Sequence, residues 1–248
     1  MIYTSDPELW FMAWQLIIDG PLDGASNMAI DAALLDDVES SELPRTIIRF
    51  YGWSSPTISL GRNQNIEKAV DVDYCRANSI AIVHRPTGGR AVLHDDELTY
   101  AVISNDSNCF GDTIYGNYKR VSEALCLGYQ RLGIPAVLAP DTRKIFLAKD
   151  ADPPCFLSPS RYELMAGGRK IVGSAQRRVR RSFLQHGSMP ITCNREALAR
   201  ATRLPAAEPL DTEMAGLAEF LPHRPTLEQL RAAFVAAFQD YFSVELML

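Results

Sequence analysis

Between residues 46 and 103 the chain carries five runs of strand length and character: TIIRFYGW (46–53), TISLG (57–61), IAIVHR (80–85), RAVLH (90–94) and ELTYAVI (97–103). They are rich in β-branched and aromatic residues and are bounded by Pro, Gly, Asn and Asp, which is how strands are punctuated. Pro56 separates the first two, IAIVHR predicts a buried strand, and VDYCRAN (72–78) predicts a short helix between strands. Such a chain must build a sheet, and three amphipathic segments are available to cover it. SNMAIDAALLDDV (26–38) sets Met28, Ile30, Leu34 and Leu35 at helical spacing, with Ser26 or Asn27 as its N-cap. YKRVSEALCLGYQRLG (118–133) is amphipathic and closes on Gly133, and TLEQLRAAFVAAFQDYF (226–242) is a third helix. The pattern predicts an α/β (α+β) fold, a mixed β-sheet flanked by helices.

The flanking segments extend this scheme. AWQLIIDG (13–20) and PAVLA (135–139) predict strands, and residues 140–160 an irregular stretch rich in Asp and Pro. YELMAGGRKIVGSAQRR (162–178) predicts a hairpin turning at Gly167-Gly168, onto which FLQHGSMPI (183–191) pairs. NREALARA (194–201) is helical. A length of 248 residues allows one large α/β domain or two small ones. The stretch after residue 191 is too short for a second large domain, so a single domain is expected over 1–248, with a core at about 13–191 and a helical segment at 192–248.

Composition narrows the function. A net charge of −5 argues against nucleic-acid binding by the whole surface. No apolar run approaches the roughly 18 residues of a membrane span. The start, MIYTSDPELWFMAWQ, lacks the basic and apolar regions of a signal peptide, so a cytoplasmic setting is expected. Cys75, Cys109, Cys126, Cys155 and Cys193 are odd in number, widely spread and without a C-x-x-C, which fits free thiols rather than disulfides or a zinc site. The histidines at 84, 94, 186 and 223 lack metal spacing, and neither G-x-x-x-x-G-K-[ST] nor G-x-G-x-x-G occurs. No metal and no bound cofactor are expected.

Three stretches can carry chemistry. In HRPTGGRAVLHDDELTY (84–100), Arg85 and Arg90 surround Gly88 and Gly89, a pattern that serves either as a plain turn or as backbone bared to a ligand. In GGRKIVGSAQ (167–176), Gly173, Ser174 and Ala175 are a run of small residues inside a strand, which marks a bulge or a place where something lies against the backbone. In DPPCFLSPSRYEL (152–164), Cys155 follows two prolines in a loop. From Arg161 to Arg181 there are seven cations (Arg161, Arg169, Lys170, Arg177, Arg178, Arg180 and Arg181) against one acid, Glu163. Nearby cations favour the thiolate and lower a thiol below its free value of about 8.5, whereas a lone cysteine is more commonly inert.

Taken together, HRPTGGRAVLHDDELTYAV, GRKIVGSAQRR and LQHGSMP, in this order, resemble the biotin/lipoate protein ligase and transferase superfamily. WQLIIDGPLDGASNMAIDAALL resembles that family's first strand and helix, so the likeness runs from about residue 13 to 191. PPCFLSPSRYEL is similar to the CF-x-x-PS-x-YEL stretch of the octanoyltransferases that keep their nucleophile in this loop, and Lys170 matches the family lysine of G-R-K-I-x-G-S-A-Q. The resemblance implies a biotin/lipoate protein ligase-like catalytic domain and an enzyme of lipoate biosynthesis. Octanoyl would pass from octanoyl-acyl carrier protein to Cys155 as a thioester, and then to a lysine of a lipoyl domain such as the glycine cleavage H protein or a 2-oxoacid dehydrogenase E2. Lys170 would depress the Cys155 pKa. Arg85, Thr87, Gly88, Gly89 and His94 would line the acyl site on one side, with Gly173, Ser174, Ala175, His186 and Gly187 on the other. Arg177, Arg178, Arg180 and Arg181 would dock the acidic carrier. Three alternatives stay open at this point: an ATP-dependent lipoate ligase, an amidotransferase moving octanoyl between lipoyl-bearing proteins, and a non-catalytic module that holds acylated carriers.

Overall fold

The computed structural model describes residues 13–139 and 162–248. Cys155 and the segment 141–154 lie outside the described residues. Six strands form the main sheet in the order β10-β11-β6-β2-β1-β12. They are β1 (Ala13–Leu22), β2 (Thr46–Trp53), β6 (Glu97–Ser104), β10 (Gly173–Arg178), β11 (Phe183–Pro190) and β12 (Glu245–Met247). β1 runs parallel to both β2 and β12, while β2, β6, β11 and β10 pair antiparallel. The sheet is therefore mixed, and helices cover both its faces.

Strand alternation sorts the two faces. In β2, Ile47, Tyr51 and Trp53 pack with Met28, Leu35 and Val38 of α1 (Gly24–Ser40). Ile48 and Phe50 of the same strand face α4 (Ile114–Arg131) and α7 (Leu227–Phe242), as do Leu98, Tyr100 and Val102 of β6. Every residue of β6 and β11 is buried, as expected of strands covered on both sides. A second sheet of order β4-β3-β5, from β3 (Thr57–Leu60), β4 (Ala81–His84) and β5 (Val92–His94), lies beyond the end of α1. A third joins β7 (Val137–Leu138), β8 (Leu164–Ala166) and β9 (Arg169–Lys170).

Several expectations shift. The first helix begins earlier than expected, because Asp23 and not Ser26 or Asn27 is its N-cap, accepting from the Ser26 backbone N–H at 3.0 Å. β4 is an edge strand with no buried residue, so IAIVHR is not a buried strand. The 162–178 hairpin does turn at Gly167 and Gly168, whose φ values are 54° and 78°. Its second arm divides, however: β9 stays with β8, and β10 crosses to the main sheet. Three short elements carried no readable periodicity, namely α2 (Ile66–Ala69), α6 (Glu208–Glu213) and β12. α3 (Val72–Ala77) and α5 (Arg195–Ala201) form where expected.

The C-terminal helix shares the main core. Leu230, Phe234 and Phe238 of α7 are fully buried with Tyr129 of α4, and the Phe234 and Tyr129 rings meet edge to face at 5.1 Å. Gly128 permits this approach, since a Cβ there would overlap the Phe234 ring. Gly128→Ala gains about 1 kcal/mol of helix propensity. It also forces a ring locked in a packed core to move, at about 1–3 kcal/mol. The overlap is severe, so the variant should melt a few degrees below wild type, measurable by thermal denaturation followed by circular dichroism.

Candidate active site

The main sheet, α1 and the β4-β3-β5 sheet border a partly open cavity of about 320 Å³ on the α1 side. Met28 of α1, Tyr51 and Trp53 of β2, and Val92 of β5 give it apolar walls. Ser59, Arg85, His94, Thr99, His186 and Ser188 bring polar groups. Gly173, Ser174 and Ala175 of the edge strand β10 form one side together with Gly187 of β11. Their register, from Gly173 opposite Ser188 to Arg178 opposite Phe183, runs without interruption, so the small residues mark no bulge. They leave room beside the backbone. Gly187 has a packing reason as well, because a Cβ there would come within 2.8 Å of Ser174 Oγ and 2.7 Å of Tyr100.

The RPTGG turn is built around Arg85, which is 5% exposed. Its guanidinium donates to the carbonyls of Ser59 (2.9 Å), Gly88 (2.8 Å) and Arg90 (2.8 Å), and to Thr87 Oγ1 (3.2 Å). Arg85 thus lines the cavity while knitting the turn to β3. Gly89 has φ of 90°, which a side chain would strain, and a Cβ there would meet the Arg85 guanidinium at 2.8 Å. Thr87, Gly88 and Gly89 stand behind the wall rather than in it.

Two histidines sit in matching chains. Asp31 Oδ2 lies 2.8 Å from His186 Nδ1, and His186 Nε2 lies 2.7 Å from Thr87 Oγ1. Glu97 Oε1 lies 2.8 Å from His94 Nδ1, and His94 Nε2 lies 2.8 Å from Ser59 Oγ. A carboxylate at Nδ1 places the proton there, so each Nε2 accepts from a hydroxyl. Asp31 is held in turn by Arg49 (2.7 Å) and the Tyr51 hydroxyl (2.9 Å). Glu97 also accepts from Trp53 Nε1 (3.1 Å) and Ser188 Oγ (2.5 Å), and the Trp53 ring stacks on His94 at 4.0 Å. Burial lowers the His186 pKa below its ordinary value, against the opposing pull of Asp31.

Lys170 lies outside this cavity. It is 3% exposed, and its Nζ donates to Glu163 Oε1 at 2.7 Å; Glu163 is also 3% exposed. The arginine run does not gather at one mouth. Alternation along β10 sends Arg177 to the Pro86 carbonyl (3.4 Å) and Arg178 to Gly111 and Asp112 on the opposite face. Arg181 donates to the carbonyls of Glu39 (2.8 Å) and Ser41 (3.3 Å) at the end of α1, and Arg180 is exposed. Burial raises the thiol pKa of all four described cysteines: Cys75, Cys126, Cys109 (about 11) and Cys193 (about 12). None is a ready thiolate.

Sequence reading missed Asp31, Glu97, Met28, Tyr51, Trp53 and Ser59. A signal existed for Asp31, a single acid in the buried stripe Met28, Asp31, Leu35, Val38 of α1. Arg49 likewise interrupts the apolar run of β2.

A mixed sheet flanked by helices carries, beside a glycine turn, a mainly apolar cavity on its α1 side. The lipoyl protein ligase A/B catalytic domain model matches residues 23–239, and the chain belongs to that family. It is 38% identical over 240 residues to an octanoyltransferase LipM of Moorella thermoacetica, covering 94% of this chain and 87% of the relative. It is 34% identical over 244 residues to the octanoyltransferase LipM of Bacillus subtilis, with the same coverage. The fold matches a bipartite lipoate protein ligase of Thermoplasma acidophilum, studied with its E2 lipoyl domain. The TM-score is 0.77 at 21% identity, over 95% of this chain and 86% of that one.

The lowered His186 pKa has a measurable sign. The folded state binds that proton less tightly than the unfolded chain. Stability is therefore present above the unfolded value of about 6.5 and is lost as pH falls below it. Between pH 7 and 5 the melting temperature of wild type should fall, and His186→Asn, which keeps a donor toward Asp31, should fall less. Parallel melting curves for the two proteins across that window would exclude the assignment.

Proposed function

We propose that the chain transfers octanoyl from octanoyl-acyl carrier protein to the ε-amine of a lysine on a lipoyl domain, through a thioester on Cys155. The single observation that supports it most is similarity to octanoyltransferases at 34–39% identity over 91–94% of this chain and 85–87% of theirs. The chain is an octanoyltransferase in this reading, acting as one catalytic domain in a cytoplasmic setting. Its acceptors would be proteins such as the glycine cleavage H protein or a 2-oxoacid dehydrogenase E2. Cys155 thiolate attacks the octanoyl carbonyl, the C–S bond to the carrier's pantetheine breaks, and that sulfur leaves as a thiol. The lysine amine then attacks the acyl-enzyme, an amide forms, and Cys155 is released. Thioester to amide is downhill, so no nucleotide is consumed. Burial raises the thiol pKa of Cys75, Cys109, Cys126 and Cys193, which disfavours them as nucleophiles and supports Cys155, the cysteine of the PPCFLSPSRYEL stretch, in that role.

In this reading the acyl chain enters the cavity between Gly173–Ala175 and the wall of Met28, Tyr51 and Trp53. Each buried methylene contributes about 0.8 kcal/mol, so cavity depth selects chain length. Lys170, oriented by Glu163, tunes the thiol. The dispersal of Arg177, Arg178, Arg180 and Arg181 makes a single docking ring for the carrier unsuitable, and these residues act singly or in pairs.

Incubation with octanoyl-acyl carrier protein should add one octanoyl to the intact mass, labile to hydroxylamine, and Cys155→Ala should carry none and transfer nothing. Transfer at the wild-type rate by that variant would sink the covalent route. Efficient transfer from free octanoate that requires ATP would move the chain to the ligase branch. Lys170→Gln, with folding checked by circular dichroism, should shift Cys155 alkylation by iodoacetamide to higher pH; an unmoved profile removes Lys170 from the role.

A further inference from the structure

The cavity on the α1 side runs across the strands of the main sheet. Its sheet wall takes Gly173 and Ala175 from β10, His186 from β11, Thr99 from β6, and Tyr51 and Trp53 from β2. Those strands are successive neighbours, in the order β10-β11-β6-β2. β10 is the edge of the sheet, and Ser174 and Ala175 there are half-buried. At the other end Tyr51 is 0% and Trp53 9% exposed. The opening therefore lies at β10 and the closed end at β2.

Three strand spacings of ~4.8 Å set β2 about 14 Å from β10. An octanoyl chain spans at most about 11 Å, at ~1.5 Å per carbon–carbon bond. With its carbonyl at β10 it passes β6, about 10 Å in, and its last carbons stop against the side chains that stand in front of β2. These are Met28, Tyr51 and Trp53. Two of them are locked. The Tyr51 hydroxyl donates to Asp31 (2.9 Å), and the Arg49 guanidinium lies over its ring at 3.9 Å. Trp53 Nε1 donates to Thr99 (2.7 Å), and its ring stacks on His94 at 4.0 Å. Met28 has no such anchor among the described residues, and its thioether chain is unbranched and turns freely. Its backbone is fixed all the same. The neighbouring Asn27 donates to the Gly52 carbonyl of β2 (2.9 Å) and accepts from Arg49 (2.9 Å), which holds this turn of α1 over β2. Of the closed end, the Met28 side chain alone can yield.

We propose that Met28 sets the length of acyl chain that the enzyme accepts, its thioether forming the stop against which the terminal methyl rests. The inference rests on the octanoyl donor of the function proposed above and adds to it a specificity-determining residue. Truncating Met28 to Ala frees room for about two further methylenes of substrate, which together amount to about tenfold in kcat/KM at ~0.8 kcal/mol apiece. An aromatic ring at the same position fills that space and shortens the slot.

The test measures kcat/KM for hexanoyl-, octanoyl- and decanoyl-acyl carrier protein with wild type, Met28→Ala, Met28→Phe and Leu35→Ala. Leu35 is buried on the same stripe of α1 but is not among the residues lining the cavity. Wild type should favour octanoyl. The decanoyl-to-octanoyl ratio should rise about tenfold in Met28→Ala. The hexanoyl-to-octanoyl ratio should rise several-fold in Met28→Phe, and Leu35→Ala should keep both wild-type ratios. Each ratio compares donors on one preparation, so a smaller folded fraction cancels, and either Met28 variant alone decides. Unchanged ratios in a Met28 variant would overturn the proposal. So would an equal shift in Leu35→Ala, which would make Met28 one packing residue among many, or a wild type that transfers decanoyl as readily as octanoyl. Failure of wild type to take octanoyl from its carrier at all would instead bring down the donor reading itself, and is distinguishable because it precedes any substitution.

Discussion

A buried guanidinium, Arg49, organises the α1 side of the molecule. It is 0% exposed in the middle of β2 and donates to Asp19 of β1 (2.7 Å), to Asp31 (2.7 Å) and to Asn27 (2.9 Å) of α1. Its plane also lies over the Tyr51 ring at 3.9 Å. Removing one partner from a buried pair of this kind costs about 3–5 kcal/mol, because the remaining charge is stranded. The cost favours the docking of α1 on β1 and β2 in which Arg49 keeps all three partners. Asp31 then has one oxygen left over after Arg49, and that oxygen holds Tyr51 and His186. His186 holds Thr87, and Thr87 belongs to the turn clamped by Arg85. A chain of hydrogen bonds thus runs from α1 to the glycine turn over the cavity.

That chain explains which parts of the fold were legible in the sequence. Strands such as TIIRFYGW and ELTYAVI were readable because burial follows a local period, and β2 spans Thr46–Trp53 as its apolar run suggested. The cap Asp23 was not, since Ser26 is an equally good capping residue and only the chain direction out of β1 decides between them. β4 misled for another reason. Its composition is that of a buried strand, but its place at the edge of a three-stranded sheet leaves it uncovered.

The site was legible in its motifs and illegible in its partners. RPTGG and GSA face one cavity, but nothing in either stretch names Asp31, 155 residues before His186, or Glu97 beside His94. The arginine run shows the same limit from the other side. Charges adjacent in sequence lie on opposite faces of a strand, so Arg177 and Arg178 part company at once. Arg85, readable as a ligand contact, lines the cavity and also donates to the carbonyls of Gly88, Arg90 and Ser59, a role its sequence neighbours do not announce.

The outermost strand of the main sheet bears on how the chain comes to be folded. β12 pairs in parallel with β1, setting Ala13 beside Glu245 and Gln15 beside Met247. During synthesis the outer edge of β1 therefore waits, uncovered, until more than two hundred further residues have been made. α7, whose Phe234 and Phe238 complete the core beneath Phe50, arrives equally late. Contacts of such long sequence separation form slowly. A nascent chain of this kind exposes an unpaired strand edge and half a core to its neighbours. The sheet closes only once residues 245–247 have been made, so until then a nascent chain offers the edge of β1 as a place for a foreign strand to pair.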